Sequence, residues 1–232
     1  MMIKIYCDTA DIETIKKCIN FYGVDGVTTN PSIMRANGVK NYKSQCMKIL
    51  KITKKKPLSV EVFADSPNEI YNQAKKIKDW DKNLYVKIPI VNTKGKLLNQ
   101  VIKKVNSESI KVNITAVFTL NQLIKIKSSI NKKVPVIISI FCGRIADNGI
   151  DPELIVKKAV KLFKKFKNVK ILWASTREVF NYNQAKKCGC HIITMGPEFI
   201  KKLKSKKLSL NNFSIETVKQ FYNDGKKSKF KI

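Results

Sequence analysis

Short apolar, β-branched runs alternate with longer stretches of helical period along the whole chain, and this alternation most narrows the folds open to it. The strand candidates are residues 3–7, 26–29, 58–63, 84–88, 111–115, 134–141, 169–174 and 191–195. Between them, segments such as 11–20, 68–77, 94–105, 120–130 and 152–166 carry apolar residues at helical spacing, and Asp11 and Pro152 stand where helices should start. Strict β-then-α order implies a parallel sheet with helical crossovers. Eight such units in 232 residues fit an α/β protein closed into a single (β/α)8 barrel of the TIM type. An open doubly wound sheet is the alternative, but no GxGxxG or GxxxxGK(S/T) loop gives a nucleotide-binding reason to prefer it. Residues 1–232 read as one barrel domain, of which about 210–232 form an amphipathic C-terminal helical tail suited to packing on a neighbour.

Composition narrows the function classes. No run of about 18 apolar residues occurs, so no membrane partner is expected. The first ten residues are too polar for a signal peptide, which makes the cytoplasm the expected location. The six cysteines form no CxxC pair and read as reduced, partly buried thiols; Cys188, Cys190 and the single histidine, His191, are the one grouping with any resemblance to a metal site, and no metal is expected. A formal charge of +29 raises the alternative of a basic barrel that binds nucleic acid. Only three of the 46 cationic residues are arginine, and the lysines are spread as KK and KKK over helix faces. Arginine is the residue suited to bidentate contacts with bases and phosphates. A specific nucleic-acid partner is therefore not expected, while the positive field favours small anionic substrates.

In barrels of this kind the active site forms at the C-terminal strand ends. Read with that rule, the polar residues that interrupt apolar strands fall near one rim: Asp8, Thr29-Asn30, Glu61, Lys87, Asn113 with Thr115, Ser139 with Phe141 and Arg144, and Ser175 with Arg177. Lys87 lies inside the apolar strand LYVKIP, and alternation turns it toward the barrel interior, away from Val86 and Ile88. Desolvation there favours a neutral amine able to attack a carbonyl and form a Schiff base. A lysine snorkelling to water is the competing reading. Asp8 and Glu61 are the proton-transfer candidates that such chemistry needs, with a structural ion pair, even with Lys87 itself, as the alternative for Glu61. Arg144 and Arg177 with Ser175 form a fork suited to a phosphate monoester; surface salt bridges are their alternative.

These segments resemble the transaldolase family, in particular its small subfamily that includes the fructose-6-phosphate aldolases. The matching text is IYCDTADIETIKK, DGVTTNPSIM, SVEVFA, LYVKIPI, KVNITAVFT, SIFCGRIADNG and WASTREVF, in family order over most of the chain. The resemblance implies that Lys87 is the Schiff-base lysine and that Asp8 handles the proton of the cleaved carbon–carbon bond. By the same resemblance, Glu61 and Thr115 hold a catalytic water, and Asn30, Asn113 and Ser139, with Thr29, Ser59 and Phe141, contact the sugar. Arg144, Ser175 and Arg177 resemble the phosphate site.

The implied chemistry is cofactor-free transfer of a dihydroxyacetone unit between sugar phosphates. It is of the type that turns sedoheptulose 7-phosphate and glyceraldehyde 3-phosphate into erythrose 4-phosphate and fructose 6-phosphate, in the pentose phosphate pathway. A ring-like homo-oligomer such as a decamer, with the C-terminal helix reaching a neighbour, is implied as well. The aldolase branch has glutamine and tyrosine where this chain has Glu61 and Phe141, so transfer is expected over release of free dihydroxyacetone. Two departures stand out: Ile140 and Cys142 in the segment usually S-P-F-V-G-R, and Glu178 in place of asparagine after Arg177. An acidic Glu178 would weaken anion binding if it faced the site.

Overall fold

A computed structural model of the protein describes residues 2–228. The described residues divide into two compact units, 2–202 and 203–228. In order, the elements of the first are β1 (Lys4–Asp8), α1 (Ile12–Tyr22), β2 (Gly26–Thr28), α2 (Pro31–Ala36), α3 (Tyr42–Thr53), β3 (Leu58–Glu61), α4 (Pro67–Lys78), β4 (Leu84–Pro89) and α5 (Asn99–Ser107). There follow β5 (Val112–Val117), α6 (Leu120–Ile126), β6 (Val136–Ile140), α7 (Cys142–Asp147), α8 (Pro152–Leu162), β7 (Val169–Trp173), α9 (Asn181–Lys187), β8 (Ile192–Met195) and α10 (Pro197–Lys204), whose last two residues, Leu203 and Lys204, fall in the second unit. The second unit holds α11 (Leu210–Ser228), beginning where the tail helix is expected.

All eight expected strands form. They pair in parallel and in chain order, and β8 closes on β1 with Lys4 opposite Ile192, so the sheet is a closed barrel and not an open doubly wound one. Helix starts follow local chemistry. The Asp11 carboxylate caps α1 by accepting from the Thr14 N–H at 2.7 Å, and Pro152 opens α8 behind an Asp151 cap. The helix expected over 94–105 begins only at Asn99. Residues 91–97 form a tight hairpin instead, in which Gly95 is left-handed (φ 75°) and the Asn92 side chain accepts from the Lys94 and Lys96 N–H groups. Asn and Gly turn chemistry outweighs the apolar spacing there. The end of the helix expected over 120–130 tightens into a 3-10 turn at Lys127–Ser129.

The core is layered by strand parity. Outward-facing Val60, Val86, Ile88, Ile114 and Ile138 are buried beneath the helices. Inside the barrel, Tyr6, Ile137, Leu172 and Ile192 form an apolar layer with Tyr85 against it. Tyr6 fits because Gly26 lies opposite it on β2; a Cβ there would fall 2.8 Å from the ring. This layer closes the barrel from below, so the inward positions one step further along the strands form the floor of a site.

His191, Cys188 and Cys190 serve the fold. The His191 ring nitrogen Nδ1 accepts from the Ile171 N–H at 3.0 Å, burial holds the imidazole below its ordinary pKa, and both thiols are buried. No group of described residues is arranged to hold a metal ion, and no described helix is long and apolar enough to cross a membrane. Ile138→Ala is expected to cost about 2–5 kcal/mol in a urea melt, whereas exposed Ile124→Ala should stay within about 0.5 kcal/mol.

Candidate active site

A cavity of about 370 Å³ opens at the C-terminal end of the barrel. Among the described residues, Lys87 is the one lysine that lines it. The residue is buried (5% exposed), which no ammonium tolerates without partners. Two are supplied. Glu61, directly opposite on β3, places Oε2 3.1 Å from Nζ, and Nζ donates to the Thr29 carbonyl oxygen at 3.1 Å. The ion pair weighed for Glu61 is thus present, largely buried, with Lys87 facing the cavity and Glu61 behind it.

Asp8 lines the same cavity at the end of β1. The Thr28 hydroxyl donates to its Oδ1 at 2.6 Å and shares a hydrogen bond of 2.5 Å with the Thr194 hydroxyl. Burial pushes the Asp8 carboxyl above its ordinary pKa; Lys87 and the Thr28 hydrogen bond pull it down, and Glu198 pushes it up. Behind Lys87, the Ser139 hydroxyl donates to Asn113 Oδ1 at 2.7 Å, and Asn113 Nδ2 donates to Ser59 Oγ at 3.0 Å. The buried Thr115 hydroxyl has no protein partner among the described residues.

The cationic side of the cavity is built on α7. The Arg144 guanidinium lies 5.4 Å from the centre of the Phe141 ring, a cation–π distance. Arg177 is held by Asp147, its Nε at 3.1 and 3.2 Å from the two carboxylate oxygens, which keeps the Asp147 carboxyl below its ordinary value. The surface salt bridge weighed for the arginines is therefore real for Arg177, with both side chains about half exposed. Ser175 adopts a left-handed backbone (φ 62°), and Gly143 lies against its carbonyl so closely that a Cβ would overlap the oxygen. Such a backbone costs about 1–3 kcal/mol and persists only where the surroundings impose it.

Of the residues singled out from sequence, Asp8, Asn30, Lys87, Ser139, Phe141, Arg144, Ser175 and Arg177 line the cavity. Thr29, Ser59, Glu61, Asn113 and Thr115 do not; the first four form the layer that holds Lys87 and Ser139, and Thr115 is buried on β5. The Asn30 side chain caps α2, accepting from the Ile33 N–H at 2.8 Å. Glu178 is exposed and outside the cavity wall. Sequence reasoning missed Thr28, Thr194 and Glu198. Thr28 shares parity with Gly26, and Thr194 interrupts the apolar run IITM, so both carried a signal; Glu198, in the first turn of a helix, carried none.

A family model described as "Transaldolase/Fructose-6-phosphate aldolase" matches residues 5–232. A protein from Nitrosopumilus maritimus named "Probable transaldolase" is 33% identical over 216 residues, covering 91% of this chain and 93% of its own. One of the same name from Dehalococcoides mccartyi is 31% identical over 194 residues, covering 83% and 86%. Among solved structures, a 2,3-dimethylmalate lyase (TM-score 0.59, 10% identity, 98% of this chain and 84% of that one) shares the fold. CdNal from Clostridium difficile, solved with mannosamine (TM-score 0.57, 15% identity, 86% and 72%), shares it as well.

The contact between α7 and the Ser175 carbonyl gives a sharp test. Gly143→Ala is expected to cost about 1–3 kcal/mol, seen as a lower melting midpoint, while Gly225→Ala, with open space around it, leaves the midpoint unchanged or raises it.

Proposed function

This chain belongs to the transaldolase/fructose-6-phosphate aldolase family, and on that premise we propose that it is a class I transaldolase in which Lys87 carries a dihydroxyacetone unit as a Schiff base. The observation that carries this reading is the placement of Lys87: a single buried lysine facing the cavity, with Glu61 on one side and Asp8 on the same wall. The convergence of these groups also favours an enzyme over a nucleic-acid-binding barrel.

The steps follow from the geometry. Lys87 Nζ, having released a proton toward Glu61, attacks the C2 carbonyl of a ketose phosphate. Glu61 and a water held with the Thr115 hydroxyl shuttle the protons as the carbinolamine forms and loses water to give the iminium. Asp8 then takes the proton of the C4 hydroxyl. The C3–C4 bond breaks, its electron pair flows into the iminium to give an enamine on Lys87, and an aldose phosphate leaves. An acceptor aldehyde reverses the sequence: enamine C3 attacks it, Asp8 returns the proton to the new hydroxyl, and water releases the product ketose. Thr28 and Thr194 fix the Asp8 carboxylate for both transfers.

The phosphate is held by Arg144, Arg177 and Ser175, and the sugar hydroxyls by Asn30 and Ser139, with Asn113, Ser59 and Thr29 as the support behind them. The reaction needs no cofactor. Phe141 supports transfer over release: it lines the cavity without a hydroxyl, so it cannot orient a water onto the enamine. The same reading takes fructose 6-phosphate and sedoheptulose 7-phosphate as donors, in a cytoplasmic pentose phosphate pathway. It treats residues 1–232 as one barrel domain with a helical tail. Exposed apolar side chains on α11, among them Phe213, Val218 and Phe221, support a homo-oligomer.

Treatment with fructose 6-phosphate and borohydride is expected to add one reduced three-carbon unit per chain, located on Lys87 by peptide mass spectrometry; the reading fails if no adduct forms or if Lys87→Ala still traps one. Free dihydroxyacetone should stay low without acceptor, and substantial release would favour the aldolase branch. Because Asp8 must be ionised to accept a proton and its carboxyl is pushed up, activity should fall as pH drops through a midpoint above the ordinary aspartate value of about 3.9.

A further inference from the structure

Glu198 is the one carboxylate besides Asp8 in the cavity wall, and the family chemistry gives it no task. It stands in the first turn of α10, immediately after β8. Its carboxylate folds back over Gly196, where a Cβ would overlap both oxygens, so glycine at 196 is what permits this placement. Asp147, beside the cavity, is tied to Arg177. The wall therefore holds Lys87, Arg144 and Arg177 against Asp8 and Glu198, and one of the two arginines is already partly neutralised.

We propose that Glu198 is a specificity-determining residue whose negative charge weakens binding of the phosphate dianion of the aldehyde substrate and so widens acceptor use toward unphosphorylated aldehydes. The inference rests on the transaldolase reading of the cavity. In a site of this size, an anionic phosphate held by Arg144 and Arg177 lies close enough to Glu198 for like-charge repulsion, and water screens the interaction only in part. Glu178, considered for such a role from the sequence, lies outside the cavity wall, whereas Glu198, on the opposite side of β8 in the chain, lines it. The groups facing Asp8 are Lys87 from β4, the Thr28 hydroxyl from β2 and Glu198 from α10, and of these Glu198 alone opposes ionisation of Asp8. Removing its charge therefore favours the ionised carboxylate of Asp8 as well.

The test is Glu198→Gln, assayed with a matched pair of acceptors, glyceraldehyde 3-phosphate and glyceraldehyde, with sedoheptulose 7-phosphate as donor and release of erythrose 4-phosphate as the readout. The KM for the phosphorylated acceptor should fall on the order of tenfold, with that for glyceraldehyde nearly unchanged. The acid limb of the kcat profile should move to lower pH, since Asp8 then ionises more readily. Equal changes for both acceptors, or an acid limb that does not move, would overturn the proposal. Glutamate in a first turn also suits the helix dipole, so a lower melting midpoint with unchanged KM ratio and pH profile counts against it. Borohydride trapping on Lys87 is run in parallel. If trapping succeeds and the acceptor ratio does not move, the Glu198 inference fails alone; if trapping fails in the unmodified protein, the transaldolase reading fails with it.

Discussion

Burying the ammonium of Lys87 inside the barrel obliges the surrounding strands to supply charge and acceptors at fixed positions. An uncompensated ion there costs several kcal/mol, and the strand register determines what can meet it. Because β3 pairs with β4 so that Glu61 stands opposite Lys87, the carboxylate arrives without any loop having to fold over it. The Thr29 carbonyl, left free where β2 ends, accepts a second bond. The next strand brings Asn113 beside Lys87, and its amide bridges Ser59 and Ser139 in a buried chain in which each member has a partner. The lysine, the strand order and the polar layer thus stand or fall together.

The site divides into a rigid interior and an adjustable rim. Asp8, Thr28, Thr194, Lys87 and Ser139 stand on strands, as do Glu61 and Thr115 behind them, so the closed sheet fixes the spacing of every group proposed to handle a proton. The residues proposed to recognise charge stand on strand-end loops and short helices: Arg144 on α7, Ser175 and Arg177 after β7, Glu198 on α10. Proton transfer tolerates little displacement, whereas anion affinity can be tuned one charge at a time. The left-handed Ser175 and the close approach of Gly143 are where these parts meet.

Much of this was legible in the residues because a barrel converts sequence into geometry by simple parity. A polar residue interrupting an apolar strand, as Lys87 and Glu61 do, has only the interior to face. The same rule, applied strictly, would have selected Thr28 over Thr29 on β2, since Gly26 sets which positions face inward. Contacts formed between loops follow no such period. The Asp147–Arg177 pair joins residues thirty positions apart, and the Glu198 carboxylate reaches the wall only because its neighbour at 196 lacks a side chain. The large positive charge was a poor guide for a related reason: lysines on outer helix faces say nothing about a cavity that admits one lysine.

The most direct measurement is a crystal structure of the protein soaked with fructose 6-phosphate. Continuous density from Lys87 Nζ to C2 of the sugar, with the phosphate oxygens within hydrogen-bonding distance of Arg144 and Arg177, is the predicted result. A sugar bound without a covalent link while Nζ stays on Glu61, or a phosphate seated away from both arginines, would contradict it.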